Sequence, residues 1–461
     1  MSENKTFDTL PLHADILKNL DSLGFKAMTP IQEKSLPYIL DKKDIIAQAK
    51  TGSGKTAAFG LGMLSTLNAN SSEPHAMVLC PTRELAEQVS KELRRLARGM
   101  SNIKILTLSG GSPEHIQQQS LKHGAHVIVG TPGRIQKMIV KKALVLRNIK
   151  MFVLDEADRM LDMGFNKDIH AIAEHLPKQR QTLLFSATYP DEIQELSANL
   201  QKSPIEVKVD AQHDENVIRQ LFFQVDGPKN KIDALNAVLN HYQPESTVIF
   251  CDTKQTSREI AAHLQNRNIA ALAIHGDLEQ KDRTLVLTQF ANKSCLILVA
   301  TDVAARGLDI ADLQAVLNYT LPSDPEVYVH RIGRTGRAGK EGLALTIFTD
   351  REKSHVEMIK SYSGNTFHDE KVENLQKSKK FDGRPKFSTI SILGGRKDSL
   401  RPGDILGALT GEGGIPGTSV GKIDIFEIQT YVAVATPDME RALFCLQNGK
   451  IKGRRFRIGA V

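Results

Sequence analysis

Between residues 25 and 209, short apolar runs rich in β-branched residues alternate with stretches of helical periodicity, and after a polar break the alternation begins again. The runs fall at 44–48, 76–80, 103–108, 126–129, 151–154, 181–185 and 205–209, then at 220–225, 246–251, 270–274, 295–300, 314–319 and 342–348. Bounded short runs of this kind read as strands covered on both faces. The stretches between them place apolar residues three and four apart, as Leu85, Val89, Leu93 and Leu96 do in a helix expected over 83–97. Strand and helix in strict alternation predict a parallel sheet with helices on both sides. The expectation is therefore two α/β domains, at 1–209 and 219–362, joined by a polar linker at 210–218.

A second change of character comes at 363–386, which is polar and rich in lysine and reads as a flexible basic tether. Beyond it the order is strand 387–393, helix 402–409, strands 423–428 and 431–435, helix 437–447 and strand 454–458. That order, β-α-β-β-α-β, has the size and sequence of elements of a ferredoxin-like, RRM-like α+β domain at 387–461.

Charge separates the same regions. The chain carries 60 Lys and Arg against 53 Asp and Glu, a net charge of +7. Residues 376–461 hold 15 basic and 8 acidic residues, leaving 45 of each in the rest. The whole excess sits on the last 86 residues, which points to a polyanion-binding appendage on a charge-balanced body. No apolar run is long enough to span a bilayer, and the N-terminus lacks the apolar core of a signal peptide. The four cysteines are scattered and form no Cys-x-x-Cys pair, which argues against zinc and a disulfide framework. Three of them lie in strand-like runs and are expected to be buried, and such usage fits a reducing cytoplasm.

Two strand ends carry chemistry. After strand 44–48 comes Ala49-Lys50-Thr51-Gly52-Ser53-Gly54-Lys55-Thr56. A Gly-rich loop of backbone N–H groups running into a helix N-terminus is an anion site. In this pattern Lys55 would reach the β- and γ-phosphates of ATP and the Thr56 hydroxyl would hold Mg²⁺. The strand at 151–154 ends in Asp155-Glu156-Ala157-Asp158. Two adjacent carboxylates there suit a metal-binding acid, Asp155, and a water-orienting acid, Glu156.

Together these blocks resemble the DEAD-box RNA helicases, from Phe7 to about Phe348. The resemblance implies two tandem RecA-like P-loop domains, with ATP and Mg²⁺ as cofactors. Phe7, Phe25 and Thr29-Pro30-Ile31-Gln32 resemble the adenine-reading motif, with Met28 standing where the family usually has proline. It implies that Gln32 reads the adenine edge and Phe7 supports the base. Ser186-Ala187-Thr188 resembles the motif that couples hydrolysis to strand separation, through Ser186 and Thr188. His330 to Arg337 resembles the arginine-finger block, implying γ-phosphate contacts for Arg334 and Arg337; a basic surface loop is the expectation for Arg331. The block Ala300–Asp309 implies a ribose contact for Asp309.

The same resemblance implies an RNA track held through phosphates, which sets register without reading sequence. Its positions in the first domain are Pro81-Thr82-Arg83, Gly110-Gly111 and Thr131-Pro132-Gly133-Arg134. In the second they are Thr253, His275-Gly276-Asp277, Gln280, Arg283 and Thr301. Helix capping competes with this role, because Thr131-Pro132 is a good N-cap and N1 pair.

In the tail, Gln429, Val434 and Ser391 occupy positions where RNA-binding modules usually carry stacking rings, which leaves only Tyr431. The basic residues cluster instead in Arg396, Lys397, Arg401, Lys422, Lys450, Lys452, Arg454 and Arg455. Loops and edges are thus expected to grip a folded RNA shape. The stretches Gly394-Gly395-Arg396-Lys397, Arg401–Gly411, Gly421-Lys422-Ile423 and Gly449–Gly453 resemble the tail of a bacterial, ribosomal-RNA-specific branch of the family. That implies as partners a 23S rRNA hairpin near the peptidyl transferase centre and the precursor large (50S) ribosomal subunit, for a cytoplasmic, monomeric enzyme. Two other readings use the same residues: an ATP-gated RNA clamp with little unwinding, and a non-catalytic RNA-binding scaffold. Intact Lys55, Asp155, Glu156, Arg334 and Arg337 argue against the scaffold.

Overall fold

The computed structural model describes residues 5–49, 52–209, 218–305, 312–336, 341–363, 367–375 and 380–461. Two compact units divide the chain near residue 212. The expected linker, all but Ile218, lies outside the described residues.

The first unit is built on seven parallel strands: β1 (Ile45–Gln48), β2 (Ala76–Leu79), β3 (Ile105–Leu108), β4 (Val127–Gly130), β5 (Met151–Asp155), β6 (Gln181–Ser186) and β7 (Ile205–Lys208). Their spatial order is β3-β4-β2-β5-β6-β1-β7. Successive residues of a strand point to opposite faces. Ile45, Ala47 and Val153 therefore enter one core, with Phe59, Leu61 and Leu93 of the covering helices. Ile46, Phe152 and Leu154 enter the other, with Ile135, Met138 and Ile169. Helices on both faces explain why β2 and β4 are buried at every position.

In the second unit a sheet of β8 (Ile218–Val225), β9 (Thr247–Cys251), β10 (Ala271–Ile274), β11 (Ile297–Thr301), β12 (Ala315–Asn318), β13 (Gly342–Thr349) and β14 (Phe367–Glu370) repeats the first. Its order is β10-β11-β9-β12-β13-β8-β14, which is the first order with seven added to each strand number. The strand readings thus hold within a residue or two, with one omission. β14, the counterpart of β7, lies within 363–386, where a tether is expected. Phe-His-Asp-Glu shows no apolar pattern. It is a strand because it supplies the parallel partner for the edge of β8, from Phe367 opposite Gln220 to Glu370 opposite Phe223. The Phe367 ring packs on Phe222 at 5.5 Å.

Further along the same segment, Leu375 and Phe381 are buried with Phe223 and Leu235. The Phe381 N–H donates to Asn240 Oδ1 at 2.9 Å, and the Ala270 N–H donates to the Gly383 carbonyl at 2.9 Å. The described part of this segment is thus laid along the second domain.

The C-terminal module has strands β15 (Phe387–Leu393), β16 (Val420–Ile425), β17 (Thr430–Ala435) and β18 (Arg457–Ala460), in the antiparallel order β16-β17-β15-β18. The helix Pro402–Gly407, extended by a π turn over Ala408–Glu412, and the helix Met439–Asn448 cover one face. Ile390, Ile392, Val432 and Val434 meet Ile405, Leu409, Ala442 and Leu446 in its core. Among the described residues no helix is long and apolar enough to cross a membrane.

Arg331 overturns its expectation of a surface loop. Its side chain is 3% exposed. Nε and Nη2 donate to the two carboxylate oxygens of Asp302 at 2.7 and 2.6 Å, and Nη1 donates to Asn318 Oδ1 and the Thr320 carbonyl at 3.0 and 2.7 Å. The guanidinium also lies over the Phe250 ring at 4.9 Å. This buried fork ties the end of β11 to β12 and to the helix Pro325–Ile332. Removing it strands the Asp302 charge and the Asn318 amide, so Arg331→Ala should cost the second domain about 3–5 kcal/mol in urea unfolding. The transition of the first domain should be unmoved.

Candidate active site and nucleic-acid interface

The phosphate loop follows β1, and Asp155 and Ser186 end β5 and β6, which are neighbours of one another. A doubly wound sheet places such residues in a crevice at the carboxyl ends of its strands. Lys50 and Thr51 of the loop lie outside the described residues, as do Asp309 and Arg337.

The described loop is clasped from several sides. The Ala49 N–H donates to the Ser186 carbonyl at 3.0 Å. The Lys55 ammonium, 5% exposed at the start of the helix Lys55–Thr66, donates to the Ala49 carbonyl at 3.0 Å. Gly54 caps that helix in the left-handed region at φ +96°, and a Cβ there would stand 2.5 Å from Gln32 Nε2. Both Gln32 amide atoms are engaged: Oε1 accepts from the Thr29 N–H at 2.9 Å, and Nε2 donates to the Gly54 carbonyl at 3.1 Å. The adenine-motif residue is therefore bonded to the phosphate loop itself. Phe7 is buried and packs edge-on against Phe25 at 6.2 Å.

Asp155 is 3% exposed, and its Oδ1 accepts no hydrogen bond. Burial pushes its carboxyl up to about 6, against the pull of the nearby Lys55 charge and with help from Glu156. Ser53 Oγ and Ser186 Oγ are likewise buried without a partner. Three orphaned oxygens around one loop, with a lysine beside them, form a donor set that suits a phosphate and a hard divalent cation.

Glu156 sits at φ +54°, a left-handed conformation that costs a non-glycine residue on the order of 1 kcal/mol. Its carboxylate is paired with Arg159 Nη1 at 2.7 Å. Asp158, which the sequence displayed without a role, accepts from the Ala187 and Thr188 N–H groups and the Thr188 hydroxyl, each at 3.1 Å. The acidic motif and the Ser-Ala-Thr motif are thereby one bonded unit. The signal was present in the fourth letter of Asp-Glu-Ala-Asp.

The expected RNA-track residues cluster at loop and helix starts within each unit. Thr82 and Thr253 cap helices, their hydroxyls accepting from the Leu85 and Thr256 N–H groups at 3.2 and 3.0 Å. Thr131 and Pro132 start the helix Pro132–Val140. The Arg83 guanidinium lies where a Cβ on Gly110 would stand. Gly111, at φ +84°, completes that turn. Arg134 donates to the Ser112 carbonyl and Gln117 Oε1 at 3.2 and 2.8 Å, and so braces the same turn. In the second unit Arg258 donates to His275 Nε2 at 3.1 Å and pairs with Asp277 at 3.0 Å. Burial and the Arg258 charge hold the His275 imidazole below its usual range. Arg283 donates to the Ala304 carbonyl at 2.6 Å. Thr301 ends β11, Gly276 faces open space, and Arg334 is 8% exposed.

In the tail, all eight expected basic residues are exposed. Lys452 Nζ donates to the Ser399 carbonyl at 2.9 Å, which brings the 450–455 loop against the 396–401 turn. Lys422 stands apart, paired with Asp424 at 3.0 Å. Tyr431, expected as the remaining stacking ring, is 5% exposed. It lies on the sheet face that meets the second domain.

Duplicated parallel sheets, a phosphate loop and a buried acid at neighbouring strand ends define a P-loop ATPase. Residues 29–196 match the DEAD/DEAH box helicase family, 230–339 the helicase conserved C-terminal domain, and 389–459 the DbpA RNA binding domain. The chain is 46% identical to the ATP-dependent RNA helicase DbpA of Escherichia coli over 96% of both chains. It is also 46% identical to the DEAD-box ATP-dependent RNA helicase CshA of Geobacillus kaustophilus, over 77% of this chain and 76% of that one. Among solved structures it is similar to S. cerevisiae Dbp5 bound to RNA and ADP BeF3, with a TM-score of 0.74, 32% identity, and coverage of 80% of this chain and 96% of that one. The chain belongs to the DEAD-box ATP-dependent RNA helicases and, within them, to the DbpA-like group. It is an RNA-dependent ATPase that carries its own RNA-binding domain.

The raised Asp155 pKa has a sign that can be measured. Its folded value lies above its unfolded one, so the neutral acid favours the fold. That stabilisation is complete below pH ~4 and is lost as pH rises through about 6. In magnesium-free buffer the stability gain of Asp155→Asn over wild type should therefore grow by about 3 kcal/mol between pH 4 and pH 7.5. Urea unfolding of the first domain at both pH values would read it.

Proposed function

We propose that this chain hydrolyses ATP with Mg²⁺ to remodel a hairpin of 23S ribosomal RNA near the peptidyl transferase centre, during assembly of the 50S subunit in the cytoplasm. The observation that carries the choice of RNA is the placement of charge. The chain's net positive charge lies on its last 86 residues, and the exposed basic loops of the module that ends them are the surface offered to a polyanion. The match to the DbpA RNA binding domain supports the same reading.

In the first domain the chain's own groups divide the work. Lys55 and the loop N–H groups from Gly52 to Thr56 bind the β- and γ-phosphates. Asp155 and Thr56 would hold Mg²⁺, which supplies charge neutralisation between the phosphates when bound. Glu156 orients and deprotonates the attacking water. Gln32 reads the base edge and, through its bond to Gly54, passes nucleotide binding to the phosphate loop. Asp158 ties the acid motif to Ser186 and Thr188, and so carries the state of the site toward the RNA track. Arg334 and Arg337 supply positive charge to the γ-phosphate, with Asp309 on the ribose. The remaining track residues hold RNA phosphates through backbone and hydroxyl groups. Strain in the bound strand then separates it from its complement.

Two measurements test this. Arg334→Ala should lower RNA-stimulated ATP turnover by ~10³ while RNA binding persists; turnover near wild type would remove the residue from the reaction. Replacing Arg396, Lys397, Lys452 and Arg455 by alanine should abolish the preference for a 23S hairpin fragment over unstructured RNA, with stimulation by the latter kept. The salt dependence of hairpin binding should also flatten, because each lost phosphate contact releases about one counterion fewer. A preference that survived these four changes would move specificity into the helicase core.

A further inference from the structure

Strand alternation divides the module's sheet into two faces. Ile390, Ile392, Val432 and Val434 point to its own helices. Thr389, Tyr431 and Ala433 point the other way, toward the face that a base-stacking module leaves open. Yet Thr389 and Ala433 are 0% exposed. The cover over Thr389 comes from the second helicase domain. Asn292 Nδ2 donates to Thr389 Oγ1 at 2.8 Å, and Ser294 Oγ meets the same oxygen at 2.6 Å. Asn292 Oδ1 in turn accepts from the Ser294 hydroxyl and N–H at 2.8 and 3.1 Å. The approach to the knot is pinned as well, by the Ala270–Gly383 bond and by Lys386 paired with Glu245 at 2.7 Å.

We propose that Asn292, Ser294 and Thr389 are positioning residues, a largely buried polar knot that fixes the RNA-binding module on the second helicase domain in a single orientation. The knot thereby sets where RNA gripped by the module's basic loops is presented to the core. This rests on the reading of those loops as the hairpin-binding surface. Apolar contact alone would tolerate sliding. Two buried polar groups, Asn292 and Thr389, with the half-buried Ser294 do not, because any shift leaves a donor or acceptor unpaired. The knot lies just beyond the helix Gln280–Ala291, whose first turn carries Gln280 and Arg283 of the expected RNA track. One rigid helix of about 18 Å therefore separates the module's anchor from that track. A hairpin held by the module would keep its adjoining strand at a high effective concentration beside Gln280 and Arg283. A module loosened from the knot and held by its tether would dilute it.

The test uses the full chain and ATP turnover stimulated by two RNAs, a 23S hairpin fragment with an adjoining single strand and unstructured poly(A). Thr389→Val keeps the shape of the side chain and removes the shared oxygen, whereas Thr389→Ser keeps the oxygen. Thr389→Val should raise the KM for the hairpin RNA about tenfold. Its kcat, its KM for poly(A) and its nucleotide-free affinity for the hairpin should stay at wild-type values, and Thr389→Ser should behave as wild type. An unchanged hairpin KM in Thr389→Val would overturn the proposal while the wild-type preference for the hairpin still stood. Equal losses on both RNAs would overturn it too, by making the knot a general folding element. A wild type indifferent to the two RNAs would remove the hairpin reading and this inference together.

Discussion

The first domain depends on keeping a carboxylate, Asp155, buried beside a lysine, Lys55, at the end of a parallel sheet. Burying the carboxylate there costs stability that the nearby Lys55 charge only partly offsets. The loop that turns Lys55 inward is held by the Ala49–Ser186 and Gln32–Gly54 bonds. The first of these bonds exists because β1 and β6 lie side by side. A site that costs stability in the absence of its ligand gains most when phosphate and a cation arrive. The same bonds tie binding to Gln32 on one side and to Asp158 and Thr188 on the other.

The second domain solves a related problem differently. Its buried charge, Arg331, is compensated within the protein by Asp302, Asn318 and the Thr320 carbonyl. It is a structural fork, and it belongs to the same short block as Arg334. Adjacent arginines in one motif thus have separate tasks, one holding the domain together and one proposed for ATP.

The C-terminal module shows how a fold can be reused by covering its usual working face. Its β-α-β-β-α-β order and its core are those of an RNA-binding module, but the face opposite the helices is spent on docking. Loss of a stacking ring at Ser391, on the same face as Thr389, then has a physical cause, because a ring there would have to pack toward protein, whereas Val434 lies in the module's own core. Recognition passes to the loop end, where Lys452 and Ser399 bring the two basic segments together.

Much of this was legible in the residue order. Period-2 and period-3.6 patterns determine strands and helices locally, so the elements of both α/β domains and of the module could be placed from sequence, as could the phosphate loop and the acid pair. What depended on distant partners could not. β14 is a strand only because β8 offers it an edge, and Phe-His-Asp-Glu carries no pattern of its own. Arg331 is buried because residues 13 and 29 positions away fold around it. Thr389 is bonded by a helix end almost a hundred residues earlier in the chain. The sequence determined which chemistry the chain carries, since that is encoded in contiguous motifs. Only the tertiary structure decided which charges are paired, which faces are open and where the RNA-binding module points, because each of these is a property of contacts between segments far apart in the chain.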